Sequence, residues 1–524
     1  MPKIVPYTQA EQTLSLAEKV GQLFMPAAFI NDTEEEIQQL EKLIKEHHIG
    51  SLCFFHSRAS AATNFEGKKK VVSNEQSFDT LQNLMARYQK AAKYPLLIAI
   101  DAEWGLAMRI EKTPQYPYAI TLGALPDEHD DLIYEVGKNI AKDCRAAGIH
   151  WNLSPCVDIN NNPNNPVIGY RSFGEDKVKV TQKAMAYING TRSEGILTSI
   201  KHFPGHGDTA TDSHLGLPLI NKTKEELTKN ELYPFQQLIL EEVDSVMAGH
   251  LSVPALANGT DTPSSISKDI IKGVLRTEMG YKGVVISDAL NMHAVSKKFP
   301  TKGELEWLAF DAGNDVLCFA EHVKEGIDTI LKNSSETQIE ESFNRFWRLK
   351  EKAIAPTKIS STTLTNPDVL NTEIAQQSIT LYQGTNEVIT EFNTGGFTGL
   401  QLPLNIENQF FNSIQKHKKF TIAADKTPTK ESEKNILLAI FPPQIKPTNN
   451  FGFTQDELAF INEIIAKKNV ILYLFGNPYV LNHINVENAK AVVIAYQNLI
   501  SFQEVAANHF LGNLEVQGKL PVTI

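Results

Sequence analysis

A lysine, three histidines and two aspartates fall within fourteen residues, at Lys201, His202, His206, Asp208, Asp212 and His214. Such a set brings proton donors, acceptors and carboxylates within reach of one ligand, which is the equipment of acid–base or hydrolytic chemistry. The segment follows an apolar run at 196–200, so Lys201 and His202 should stand at a strand tip. The rest, punctuated by Pro204, Gly205 and Gly207, should form a loop. Polar clusters on loops carried by rigid strands are the usual seat of function. A second candidate is Asp288, which ends the run 283–287 and enters a turn of small residues. A carboxylate at that position could instead cap a helix opening at Ala289.

The run Lys-His-Phe-Pro-Gly-His-Gly at 201–207, followed by Asp-Ser-His at 212–214, resembles the signature of the glycoside hydrolase family 3 β-N-acetylhexosaminidases. Residues 283–290, Gly-Val-Val-Ile-Ser-Asp-Ala-Leu, look like the segment that holds that family's nucleophile. The resemblance implies that Asp288 attacks the anomeric carbon and that His214, paired with Asp212, is the general acid and base. Retaining hydrolysis needs a nucleophile and a separate proton donor, and the loops offer no clear second Asp or Glu for the latter. A carboxylate beside an imidazole supports its protonated form and fixes its tautomer. Taken alone, His214 would be an ordinary loop histidine.

The resemblance further implies substrate contacts at Asp101, Arg109, Arg171, Lys201 and His202. Between Asp101 and Arg109 the chain departs from the family's commonest form, with Trp104 where Gly is frequent and Leu106 where Arg is frequent. Arg171 could alternatively form a structural ion pair with Asp158 or Asp176. His250 is expected to brace the site from behind through a hydrogen bond. A zinc reading of His202, His206, Asp208 and His214 is open to the chemistry of their side chains. The glycines and proline between them give no helical presentation, however, and the resembling family works without metal. Neither metal nor cofactor is therefore expected, and His206 and Asp208 are expected to hold the loop by hydrogen bonds.

The elements that must position these residues are eight apolar, β-branched runs, at 21–29, 50–55, 95–101, 148–159, 196–203, 245–253, 283–288 and 315–319. Amphipathic segments such as 33–48, with Asp32 or Thr33 as cap, and 181–194 lie between them. Eight βα units in this length predict an α/β fold of the TIM-type (β/α)8 barrel, with chemistry at the carboxyl ends of the strands. Asp101, Asp158, Lys201 with His202, His250 and Asp288 all fall at such ends. The Pro-, Lys-, Ser- and Thr-rich stretch 353–371 reads as a linker between a barrel domain at 1–352 and a smaller α/β sandwich domain at 372–524. The second domain has strand-like runs at 379–382, 436–441, 470–475 and 491–496, and helical patterns at 454–467 and 501–511. The closing residues 518–524 also resemble the family's C-terminal domain.

With 524 residues, 42% hydrophobic and 21% charged, the chain has the composition of a globular protein of two or three domains. Its net charge of −11 disfavours nucleic acid and anionic membranes as partners and is compatible with a carbohydrate ligand. The four cysteines are spread out and read as buried apolar groups. No signal-like stretch or membrane-length window occurs, so a cytoplasmic location is expected for the sequence as given, with a periplasmic or secreted one as the alternative if a signal was removed. The resemblance implies a retaining exo-β-N-acetylglucosaminidase acting on cell-wall fragments or chitin-derived sugars. The alternatives are a phosphorylase of the same glycosides and a sugar-binding protein on a degenerate enzyme scaffold.

Overall fold

The computed structural model describes residues 3–58, 73–210, 216–354, 363–404, 406–424 and 434–524. Chain contacts divide it into two units. The first holds Met1–Gln115, Tyr134–Ile159 and Ala184–Thr365, and the second holds Tyr116–Ile133, Asn160–Lys183 and Asn366–Ile524. Two stretches of the N-terminal half thus pack with the C-terminal residues. Among the described residues, no helix is long and apolar enough to cross a membrane.

The first unit is a parallel barrel. Its strands are β1 (Phe24–Met25), β2 (Ala27–Phe29), β3 (Ser51–Phe55), β4 (Leu97–Ile100), β5 (Trp151–Asn152), β6 (Leu197–Phe203), β7 (Ser245–Ala248), β8 (Val284–Ser287) and β9 (Leu317–Cys318). β2 through β8 pair in sequence order, and β1 pairs with β9. A bridge between Ile286 and Val316 joins β8 to β9, so pairing continues through every one of the eight expected runs. The first run became two strands because Pro26, which has no N–H to donate, sits between them. Its carbonyl still accepts from Cys53 N. The fourth run was expected to be a strand over 148–159, yet β5 stops at Asn152. Pro155 again breaks the ladder, and pairing resumes only at the bridge from Cys156 to Lys201.

Strands β4, β6, β7 and β8 are buried along their whole length, as expected of a parallel sheet covered on both faces. Helices between the strands are set by local signals. Thr33 caps Glu34–His47 and forms a reciprocal capping box with Glu36, so the cap is Thr33 and not Asp32. The helix expected over 181–194 starts a turn earlier, at Lys177, because Asp176 Oδ1 accepts from the N–H groups of Val178 and Lys179.

The second unit carries a six-stranded sheet of β10 (Thr380–Gln383), β11 (Thr398–Leu402), β12 (Thr421–Ile422), β13 (Asn435–Ile440), β14 (Asn469–Leu474) and β15 (Ala491–Ile494). The order is β10-β15-β14-β13-β11-β12, parallel except for the antiparallel pairing of β10 with β15. Helices Gln455–Lys467 and Ile500–Phe510 match the expected patterns to within a residue or so. Behind the sheet, His509 Nε2 lies 3.0 Å from Asn386 Oδ1 and Nδ1 lies 2.9 Å from Tyr473 Oη. The amide oxygen can only accept, so Nε2 carries the proton and the tyrosine donates to Nδ1.

Burial depresses the His509 imidazole to about 4. A histidine held neutral in the fold but free to protonate when unfolded removes stability as pH falls from its unfolded value near 6.5 toward that lower value. Between pH 7 and pH 5 this one group should cost about 2 kcal/mol. His509→Gln should therefore be less stable at pH 7 but should lose about 2 kcal/mol less than the parent on going to pH 5, read from urea midpoints at the two pH values. An unchanged pH dependence would show that His509 is not held neutral.

Candidate active site

At the mouth of the barrel the chain packs charge into a dry place. Asp101 follows β4 directly, and its carboxylate accepts from Lys201 Nζ at 2.7 Å and from Arg109 Nη2 at 3.2 Å. Lys201, on β6 and almost fully buried, also pairs with Glu103 Oε1 at 2.8 Å. Burial pushes the Asp101 carboxyl up, but Lys201 and Arg109 overcome it and hold the group below its ordinary range, even against the neighbouring Glu103 charge. The Arg109 guanidinium lies 3.7 Å from the centre of the Phe55 ring at the end of β3, a cation–π contact that helps hold it in place. Tyr187 Oη reaches Asn152, Ser154 and the carbonyls of Ala102 and Glu103, so the turn that carries Asp101 is tied to β5.

The loop after β6 is organised by one buried carboxylate. Asp158 Oδ1 accepts from the backbone N–H of His206 at 2.6 Å, and both Asp158 oxygens lie 3.2 Å from His202 N. Its Oδ2 is 2.7 Å from His202 Nδ1 and accepts from Cys156 Sγ at 3.1 Å. Burial alone would raise this acid, yet the two histidines bring it down to about 2, so it stays ionised at any working pH. His206 is pressed the other way, to about 4, by burial and by its neighbour His202, and its Nδ1 lies 2.7 Å from Thr209 Oγ1. Asp208 pairs with Lys222 at 2.6 Å, and Lys222 also reaches the buried Glu231. Gly207 is required where it stands, since a Cβ there would lie 1.6 Å from the carbonyl oxygen of Ile159.

Asp288 follows β8. Its N–H donates to Ala248 O, and its Oδ1 accepts from Ala289 N at 2.7 Å, which fixes the carboxylate plane. The alternative role of helix cap does not hold, because no helix opens at Ala289 and the next one is His293–Ser296. His250, after β7, donates from Nε2 to Ala289 O at 2.9 Å, and its Nδ1 lies 2.6 Å from Ser265 Oγ. It braces the residue that follows Asp288, as expected.

Among the sequence-derived candidates, Asp101, Arg109 and Lys201 are brought into direct contact, and His202 is anchored beside them on the same strand as Lys201. Arg171 lies in the second unit, on the turn Gly169–Arg171, where its Nη1 donates to Val167 O. Asp212 and His214 lie outside the described residues. Sequence reasoning gave no part to Glu103, Phe55, Tyr187 or Cys156. Glu103 had one usable signal, an acid two residues beyond Asp101 on the same turn.

A family model described as the glycosyl hydrolase family 3 N terminal domain matches residues 15–349. A protein named beta-hexosaminidase A from Pseudoalteromonas piscicida is 32% identical over 375 residues, which are 65% of this chain and 60% of that protein. This chain therefore spans less than two thirds of that relative's length. A solved glycoside hydrolase family 3 beta-N-acetylglucosaminidase from Paenibacillus sp. str. FPU-7 is 29% identical, covers 98% of this chain and 99% of its own, and superposes with a TM-score of 0.78. The beta-glucoside phosphorylase BglX has a TM-score of 0.81 over 98% of this chain and 95% of its own, but at 20% identity the likeness is one of fold.

The tight approach at Gly207, whose backbone is not left-handed, can be tested by contrast with Gly280, which has φ +71° but meets nothing within 4 Å of a built Cβ. Gly280→Ala should cost about 1–2 kcal/mol, the price of the left-handed backbone alone. Gly207→Ala must displace Ile159 or the loop and should cost more than about 3 kcal/mol. Thermal melting of the two variants separates these values, and equal losses would mean that the loop shifts freely.

Proposed function

The chain belongs to glycosyl hydrolase family 3, and from that premise we propose that it is a retaining exo-acting β-N-acetylglucosaminidase that releases terminal β-linked N-acetylglucosamine from cell-wall fragments or chitin-derived oligosaccharides. One observation carries this reading. The clamp of Asp101 by Lys201 and Arg109 stands at the same strand-end face as a fixed Asp288, and the sequence beyond Lys201 runs on to Asp-Ser-His at 212–214. The names borne by the Pseudoalteromonas and Paenibacillus relatives support the substrate class.

In this reading Asp101, Arg109, Lys201 and His202 hold the hydroxyls of the terminal sugar, with Arg171 as a further contact. A carboxylate already paired with two cations presents oriented acceptors and donors together, which suits a ring of adjacent hydroxyl groups. Asp288 attacks the anomeric carbon while protonated His214, supported by Asp212, gives its proton to the departing oxygen. A glycosyl ester on Asp288 results. Neutral His214 then takes a proton from water, which attacks the same carbon and frees the sugar with its original configuration. No resident metal or cofactor takes part in this sequence.

Asp288→Ala should lower turnover of an aryl β-N-acetylglucosaminide by about four to six orders of magnitude while leaving the melting temperature close to that of the parent. Near-normal turnover would remove Asp288 from the mechanism. No turnover by the parent on any β-N-acetylglucosaminide, despite sugar binding, would instead favour a sugar-binding role. Product analysis in water and in phosphate buffer distinguishes hydrolysis from transfer to phosphate.

Proton donation has its own signature. His214→Ala should lose little on an acidic phenol, which leaves unaided, and far more on a sugar or alkyl alcohol, so its loss should grow with the leaving group's pKa. Asp212→Asn should follow the same trend less steeply, because the imidazole remains. If both variants slow every substrate equally, His214 binds and does not donate.

A further inference from the structure

Cys156 has no part in the reaction proposed above, yet it points its thiol at the carboxylate that organises the β6 loop. Cys156 Sγ, an Asp158 carboxylate oxygen and a His202 ring nitrogen all lie within 4.8 Å of one another, and all three residues are buried. The thiol and His202 Nδ1 converge on the same oxygen, Asp158 Oδ2, at 3.1 and 2.7 Å. Three donors of different hardness therefore face a common point, with a permanently ionised carboxylate at its centre.

We propose that Cys156, Asp158 and His202 form an inhibitory site for a thiophilic divalent cation, zinc or cadmium. Sulfur, imidazole and carboxylate are the ligands that zinc takes in sites with three protein donors and a water. A thiolate discriminates against magnesium and calcium, which favour all-oxygen shells. Binding releases the thiol proton to solvent. The proton on His202 Nδ1 leaves that atom, by transfer to Nε2 if the ring is neutral or to solvent if it is doubly protonated. No group changes oxidation state.

Asp158 Oδ1 keeps the backbone N–H of His206 while Oδ2 turns to the metal, so the loop need not unravel. The donors must nonetheless separate, because in a tetrahedral site they stand about 3.3–3.7 Å apart. Opening the Asp158–His202 contact by more than half an ångström displaces the imidazole next to Lys201, whose ammonium clamps Asp101. Inhibition follows from that displacement and rests on the catalytic reading above. The binding itself does not.

The test uses full-length protein stripped of metal and titrated with cadmium, then with zinc in competition against a chelating dye. One cadmium per chain should bind with a thiolate-to-metal ultraviolet band, and Cys156→Ser and Cys156→Ala should each lose the band and at least tenfold in affinity. Cys53→Ser, on β3, should retain both. Either Cys156 variant binding like the parent, or no band at excess cadmium, overturns the site. The two replacements guard against one of them misfolding, and a melting curve checks each. Zinc should inhibit aryl glycoside turnover by the parent, reversibly with chelator, and should inhibit Cys156→Ser at least tenfold more weakly. Cadmium bound without loss of turnover overturns the inhibitory role. If the protein turns over no glycoside, the spectroscopic titration still decides the site, so the two readings fail separately.

Discussion

The loop after β6 leans on the Asp158 carboxylate. A loop rich in glycine has little backbone preference of its own, and ordering it costs more entropy per residue than ordering ordinary chain. Asp158 offsets that cost by accepting two backbone N–H groups and one imidazole from residues four apart in sequence. The bonds are charge-assisted and dry, hence stronger than neutral ones in water. Replacing this acid would leave several donors buried without an acceptor, a loss larger than that of a typical contact. The glycine at 207 belongs to the same arrangement, because only a residue without a side chain lets the loop lie against Ile159.

Beside it, Asp101, Glu103, Lys201 and Arg109 form a group of two negative and two positive charges. Taking charges out of water is expensive, and a pair that merely cancels itself stabilises a fold weakly or not at all. In the function proposed here, such a group is better understood as prepaid orientation. With each carboxylate and cation already fixed by its partners and by the Phe55 face, a ligand need not order the side chains as it binds.

The barrel was legible from the alternation of apolar runs with amphipathic segments, and the strand ends carried the polar residues that an α/β barrel puts to use. What escaped was decided by contacts distant in sequence or by single residues inside a run. Pro26 and Pro155 each divided a run that hydropathy read as continuous. Strand β11, Thr-Gly-Leu-Gln-Leu, has a glycine and alternating polar residues and so gives little β signal, although it is wholly buried. Asp288 and Lys201 were visible as strand-end groups, whereas the link of Glu103 to Lys201 needs the barrel to bring two distant segments together. The resemblance supplied roles for Asp212, His214 and Arg171 that spacing alone could not.

The division of the chain into two units has a consequence for how the protein is made. Tyr118 N donates to Gln497 Oε1 across 379 residues, Asn160 Nδ2 to Tyr479 Oη across 319, and Lys519 N to Ala124 O. Segments that leave the ribosome early therefore find their partners only when the end of the chain follows them. At roughly 5–20 residues per second, the wait for Gln497 lasts about 20 to 75 s. During that time the buried side chains of Thr121 and Asn160 lack the Gln497 and Tyr479 groups they bond in the finished fold, so the nascent chain is a natural client for chaperones. Translation that stops before residue 366 would leave the first unit with two stretches, 116–133 and 160–183, orphaned from the rest of the second.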